Sequence, residues 1–162
     1  MQNLIIENAE IIYPNFSGRE GKFNREGDRN FSVLVPLDPP GLAEQLAAEG
    51  WNIKEYYQNN EPTGRHYISG VSINFKYYIP PEIHYISNGN DLVLTEDMLA
   101  GRIARQLDGR GAERVDISIR PREWTRNDGT KGGIKGYVDE MRIVARKSLF
   151  GGDHGEDTQE DY

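Results

Sequence analysis

The chain has no cysteine among its 162 residues. That excludes disulfide frameworks, cysteine–zinc sites and thiol catalysis, and it fits a reducing compartment. Histidine is scarce: His66, His84 and His154 stand at no metal-ligand spacing. There is no P-loop, no GxGxxG fingerprint and no HExxH helix. No stretch approaches the roughly 18 apolar residues of a membrane span. The start, MQNLIIENAEII, lacks the basic region and apolar run of a signal peptide. The expectation is a soluble, cytoplasmic, non-enzymatic protein that needs no metal and no cofactor.

Positive charge is also in short supply. Nineteen Lys and Arg face 26 Asp and Glu, a formal net charge of −7. Five of those carboxylates, Asp153, Glu156, Asp157, Glu160 and Asp161, fall in the last twelve residues, which hold no Lys or Arg. The remainder carries 21 acidic against 19 basic groups, so its charges must be judged by placement. The terminal stretch cannot bury enough apolar surface to offset its ordering entropy. It reads as a disordered acidic tail, residues 151–162, behind one domain of residues 1–150. Its closing aromatic, Tyr162, suggests a docking tail; the plainer reading is a solubilising terminus.

Strand signals dominate the domain. Alternation predicts a strand over 3–13, ending at Tyr13-Pro14, a long glycine-rich basic loop over 15–30, and a buried strand over 31–35. Asp38-Pro39-Pro40 is expected to start a helix with Asp38 as its cap, and Gly50 to stop it. Residues 51–54 suggest a short strand, 55–64 a loop, and 65–79 the longest strand. Val71, Ile73 and Phe75 should face the core, with Ser72, Asn74, Lys76 and Tyr78 opposite. A hairpin over 83–94 turns at Asn88-Gly89. Thr95 should cap a second helix over 96–107, striped by Leu99, Ile103 and Leu107 and ended by Gly109 or Gly111. Residues 114–120 alternate cleanly, Trp124 opens a hairpin arm turning at Asn127-Asp128-Gly129, and 134–144 form a last strand whose imperfect alternation implies a bulge. The pattern predicts a mainly β domain: a five-stranded barrel like the oligonucleotide-binding fold, with extra hairpins and two short helices.

Two groups of residues could carry binding chemistry. The loop 15–31 interleaves Arg19, Lys22, Arg25 and Arg29 with Phe16 and Phe23. Phosphates need spaced cations and bases need flat faces to stack on. The competing reading is a solvated loop of nearly cancelling charge with its Phe residues in the core. The non-core faces of two strands offer Lys76 and Tyr78, then Arg120, Arg122 and Trp124. The competing reading has Trp124 covering a hairpin and the arginines pairing with carboxylates such as Asp116. Lys54, Lys135 and Tyr137 complete the candidate set, with Trp51 and Phe23 in reserve. Nine tyrosines, paired at 56–57 and 77–78, suit a wet binding surface or simply strand propensity. Asp91, Glu96 and Asp97 could form a nuclease-like metal cluster, although acidic residues at a helix start have a dipole explanation.

The segments IIENAEIIYPNFSGREGKFNREGDRNFSVLVP, GWNIK, INFKYYIPPEI and VDISIRPREWTRNDGTKGGIKGYVDEMRIV together resemble phage-encoded single-stranded DNA-binding proteins of tailed phages. The resemblance implies an oligonucleotide-binding barrel that coats single-stranded DNA during phage replication or recombination in the bacterial host. It also implies an acidic tail that contacts replication partners and competes with DNA, a role that falls here on Asp157, Glu160, Asp161 and Tyr162. The terminal Tyr in place of Phe and His154 within the tail depart from that pattern. The stretch MLAGRIARQLDGRGAE is longer and more helical than the resemblance implies and reads as an insertion.

The resulting expectation is a single-stranded DNA-binding protein. Arg19, Lys22, Arg25, Arg29, Lys54, Lys76, Arg120, Arg122 and Lys135 would track phosphates, and Phe16, Tyr78, Trp124 and Tyr137 would stack bases. A homodimer would supply the contacts that cooperative coating needs, but no coiled-coil signal decides it. The alternative is a phage interaction module that binds a host enzyme without touching nucleic acid.

Overall fold

The computed structural model describes residues 1–22 and 24–147. Phe23 and the acidic tail, including Asp157, Glu160, Asp161 and Tyr162, lie outside the described residues. The fold is mainly β, as expected, with two short helices. In chain order the strands are β1 (Leu4–Ile6), β2 (Ile11–Asn15), β3 (Arg29–Leu34), β4 (Ile53–Gln58), β5 (Glu61–Ile73), β6 (Glu82–Ser87), β7 (Asn90–Val93), β8 (Arg114–Thr125) and β9 (Lys131–Val144). Helix α1 (Leu42–Glu49) follows β3, and a 3₁₀ turn (Asp97–Ala100) leads into α2 (Arg102–Arg110) before β8. The strands form one mixed sheet, ordered β1-β8-β9-β5-β3-β2, that is not closed into a barrel. β4 pairs with β5, and the β6–β7 hairpin joins through β6 to β9. The β5–β9 and β6–β9 pairings are parallel; the others are antiparallel.

The period-2 pattern placed the core correctly on β8: Val115, Ile117 and Ile119 are buried there. Met141 and Ile143 of β9, Phe31 and Val33 of β3, and Ile68 and Val71 of β5 join them. Leu99, Ile103 and Leu107 pack against that cluster from the helical side, as their spacing predicts. The bulge expected in the last strand falls at Asp139, the extra residue between the pairs Ser118↔Glu140 and Ile119↔Val138.

Several boundaries differ, each for a local reason. The first predicted strand is two. Asn8 at φ 51° turns the chain, so β1 pairs with β8 and β2 with β3. The expected loop 55–64 is the β4–β5 hairpin. Asn59 and Asn60 both adopt left-handed φ, the chemistry of a type I′ turn. β5 ends at Ile73 because the Asn74 side chain accepts a hydrogen bond from the Lys76 amide at 3.0 Å and offers the backbone a turn in place of a ladder. Asp38 does not cap α1; Gly41 occupies that position with no side-chain bond, and Gly50 ends the helix as expected. The N-cap of the 3₁₀ turn is Glu96 and not Thr95, although the Thr95 hydroxyl accepts the Met98 amide at 3.4 Å, and Gly101 separates this turn from α2.

The segment 15–30 is built and not featureless. The Asn24 side-chain amide donates to the carbonyls of Arg19, Arg25 and Asp28 at 2.7–3.0 Å, and its oxygen receives the Asn30 amide at 2.7 Å. Asp108 of α2 fixes the start of the segment. Its carboxylate accepts from the Phe16 amide at 2.6 Å, the Ser17 amide at 3.2 Å and the Ser17 hydroxyl at 2.6 Å.

Candidate nucleic-acid interface

Strand register assembles a row of outward side chains. Asn30 of β3 stands opposite Ser72 of β5, Ser72 opposite Tyr137 of β9, and Tyr137 opposite Arg120 of β8. Residues paired in register share a face, so this row crosses four strands on the side away from Ile117, Ile119 and Val138. The next row holds Lys135 opposite Arg122, and the one beyond holds Trp124 opposite Gly133.

The turn after β5 folds its aromatics onto this face. Tyr77 stacks on Tyr137 with ring centroids 5.5 Å apart and planes 7° from parallel. Tyr78 lies against Tyr77 at 4.6 Å and is 81% exposed. The Arg122 guanidinium carbon sits 5.4 Å from the centre of the Tyr77 ring, within cation–π range. The result is a platform of three tyrosines and one exposed arginine. No carboxylate among the described residues lies in ion-pair range of Arg122. Tyr77 was counted in the sequence only as one of a pair. The signal that could have singled it out is Asn74, whose turn bends residues 75–79 back over β9.

Trp124 continues the platform and is 47% exposed. Its indole lies over Gly132, where an added Cβ would come within 2.1 Å of the ring. The Gly132-Gly133 pair is therefore a seat for the indole and more than a flexible hairpin element. Trp51, held in reserve from the sequence, is 5% exposed and packs inward near Gly136. Lys135 donates its ammonium to the Gly70 carbonyl at 2.8 Å, and burial pushes its pKa below the usual lysine range, against a smaller raising effect of Asp28.

The remaining predicted residues separate into groups. Phe16 is a correction: it is 3% exposed and stacked on Phe31 at 5.5 Å, so its ring has no face left for a base. Three arginines already hold carboxylates. Arg120 binds Asp139 and donates to the Ile79 carbonyl at 3.3 Å, Arg29 reaches Glu96 at 3.7 Å, and Arg19 reaches Asp108 at 3.7 Å. Of the strand arginines expected either to meet phosphates or to pair with carboxylates such as Asp116, Arg120 has a carboxylate partner, though it is Asp139; Asp116 pairs with Arg114. Lys22 and Arg25 are exposed on the 15–30 segment, Lys54 on β4, and Lys76 in the turn beside Tyr77. Asp91 of the proposed metal cluster receives His84 Nδ1 at 2.8 Å, and no group of three or more metal-ligating side chains occurs among the described residues.

Comparison with known proteins bears on this geometry. No curated protein matches the chain. Among solved structures it is similar to a C-terminal truncation of the single-stranded DNA-binding protein from bacteriophage Enc34, with TM-score 0.55, 15% identity, and coverage of 91% of this chain and 87% of that one. It is also similar to the Enc34 protein in complex with ssDNA, with TM-score 0.53, 16% identity, and coverage of 93% and 90%. At such identity these likenesses show a shared fold. The model of the phage ssDNA-binding domain family matches residues 1–149, so the chain belongs to that family.

Proposed function

We propose that this chain binds single-stranded DNA along the outward face of β8, β9 and β5. The observation that carries the reading is the platform of Tyr77, Tyr78 and Tyr137 beside Arg122, extended by Trp124. Flat rings with a cation between them suit an unpaired polynucleotide, because every base has a stackable face and the backbone needs spaced positive charge. Family membership and the fold shared with the ssDNA complex of the Enc34 protein support it. Lys76, Lys135, Lys22 and Arg25 would follow the phosphates at the platform, Lys54 on β4 would meet those of a longer strand, and Arg19, Arg29 and Arg120 would hold the surrounding structure through their carboxylates. Residues 1–150 would act as one binding domain that coats and protects strands during phage DNA replication and recombination.

The acidic segment 151–162 would recruit partners through Asp157, Glu160, Asp161 and Tyr162. Its charge would also compete with DNA for the platform. The test is a titration with single- and double-stranded oligonucleotides in parallel across a salt series. Tight, salt-dependent binding of the single strand is expected, with weaker binding of the duplex. Equal binding of both, or of neither, would remove the reading. Deleting 151–162 should tighten single-strand binding at low salt, and an unchanged affinity would argue against competition by the tail.

A further inference from the structure

A second group of rings lies on the same face, away from the platform. Tyr13 of β2, Tyr56 of β4 and Tyr67 of β5 meet edge to face, with centroids 5.5 Å apart for Tyr13–Tyr67, 6.2 Å for Tyr56–Tyr67 and 6.4 Å for Tyr13–Tyr56. Lys54 stands opposite Tyr67 in register and is exposed. The face is continuous with the platform. On β5, Ile68 and Val71 point inward on either side of one bulge, which leaves Tyr67 and Ser72 both outward. Tyr67 and Ser72 are five residues apart, one of them taken up by the bulge, so their separation matches the four strand rises between their partners Leu34 and Asn30, roughly 13 Å. Lys135 bridges that interval by its bond to Gly70.

Tyr13 is the telling residue. It is 58% exposed, yet its backbone is left-handed at φ 49°. That conformation is unfavourable for a bulky side chain and easy for Asn or Gly. Its contacts with Tyr56 and Tyr67 are what the fold gains from a tyrosine there, and they are set against that backbone strain. An exposed ring kept at a strained position is the pattern of a ligand contact.

We propose that Tyr13, Tyr56 and Tyr67, with Lys54, form a second base-stacking station for the same single strand, reached only by oligonucleotides long enough to span from the Tyr77–Tyr137 platform. This station rests on the single-strand reading above. The cation in the trio's row and the unbroken outward face favour a polynucleotide over a protein partner.

The test is a length series of oligo-dT titrated by fluorescence anisotropy against the full chain, Tyr13→Asn and Lys54→Gln. Tyr13→Asn removes the ring and its two ring contacts while easing the backbone, effects of opposite sign, so its melting temperature should stay close to that of the wild type. Wild-type affinity should step up at one length. Tyr13→Asn should erase that step, weakening long oligomers about tenfold and leaving short ones unchanged. Lys54→Gln, an exposed substitution that keeps the fold, should weaken only the long oligomers and flatten their salt dependence by about 0.7 in log–log slope. Wild-type affinity of both variants at every length, or an equal loss at every length, would overturn the station while leaving the platform standing. Failure of the wild type to bind any length would sink the single-strand reading and the station with it.

Discussion

The rings of Tyr77 and Tyr137 stack nearly parallel, 5.5 Å apart, although one comes from a turn and the other from the middle of a strand. The contact joins the turn after β5 to the sheet. It leaves Tyr78 and Trp124 as the rings with open faces on either side of Arg122. Trp51 is buried, so Trp124 is the indole that DNA could meet. Oligo-dT should quench the intrinsic tryptophan emission, and Trp124→Phe should abolish the quenching. Trp124→Ala should lose roughly 1–3 kcal/mol of binding free energy. Quenching that survives in Trp124→Phe would take the indole out of the interface.

Arg120 and Arg122 are two residues apart on one strand but do different work. Arg122 is exposed and lies over the Tyr77 ring. Arg120 holds Asp139, which also receives the Asn3 amide at 2.8 Å, and it steadies Ile79 at the end of the turn. Arg122→Ala should therefore leave thermal stability nearly unchanged and reduce the slope of log affinity against log salt by about 0.7. Arg120→Ala strips a part-buried carboxylate of its cation and should destabilise the fold by roughly 1–3 kcal/mol. Parallel melts and salt titrations of the two variants check the division. A stable Arg120→Ala protein with a flattened salt slope would reverse it.

What the sequence disclosed follows from the range of the interaction. Core faces were legible because burial repeats every second residue, as Val115, Ile117 and Ile119 show. The Asn88-Gly89 turn was legible because two adjacent residues set its geometry. The Asn59-Asn60 turn carried the same chemistry, but the polar strands around it masked the hairpin. Arg122, Trp124 and Tyr137 were nominated from residue type and alternation and share one side by register, while Tyr78, nominated on the same alternation, joins them through the turn after β5. The partners of Arg19, Arg29 and Arg120 lie 89, 67 and 19 residues away in the chain. No local pattern encodes those pairings, so residue type alone could not show that these three arginines also have carboxylate partners within the fold.

His84 should titrate above the ordinary histidine range. Its Nε2 meets Glu82 at 2.9 Å and its Nδ1 meets Asp91 at 2.8 Å, and these two bonds, Glu82 first, outweigh the lowering effect of burial. Both nitrogens can donate only in the cation. A raised folded pKa means the bonus is complete below the unfolded value, 6.5, and disappears as pH climbs through the folded one. Arg142 stands opposite His84 on β9 and is the nearest cation in register. The ring is part-exposed and its two carboxylate partners are mostly exposed, so solvent screens the bonds and the effect on stability should be small. NMR titration of the His84 ring should give a midpoint above that of a free histidine. His84→Gln should lower the melting temperature at about pH 5 and leave it alone near pH 9. A midpoint at or below the unperturbed value would discard the bridging cation.

Asp108 ties the predicted insertion to the binding region. The helix read from the sequence as an extra carries the one carboxylate that accepts the Phe16 amide, the Ser17 amide and the Ser17 hydroxyl, and it also pairs with Arg19. Its side chain is 7% exposed, so water cannot readily replace it. Asp108→Ala would orphan those donors and let the Phe16–Phe31 stack loosen from the α2 side. We expect a loss of roughly 1–3 kcal/mol of stability, with Asp108→Asn in between because it keeps one acceptor oxygen. Amide exchange should rise at Phe16 and Ser17 before it rises in β8 and β9. Single-strand affinity should fall modestly, because Lys22 and Arg25 ride on the same segment. If Asp108→Ala melts like the wild type and its Phe16 and Ser17 amides stay protected, α2 is a true appendage and the segment is held by its own internal bonds, those of Asn15 and Asn24 among them.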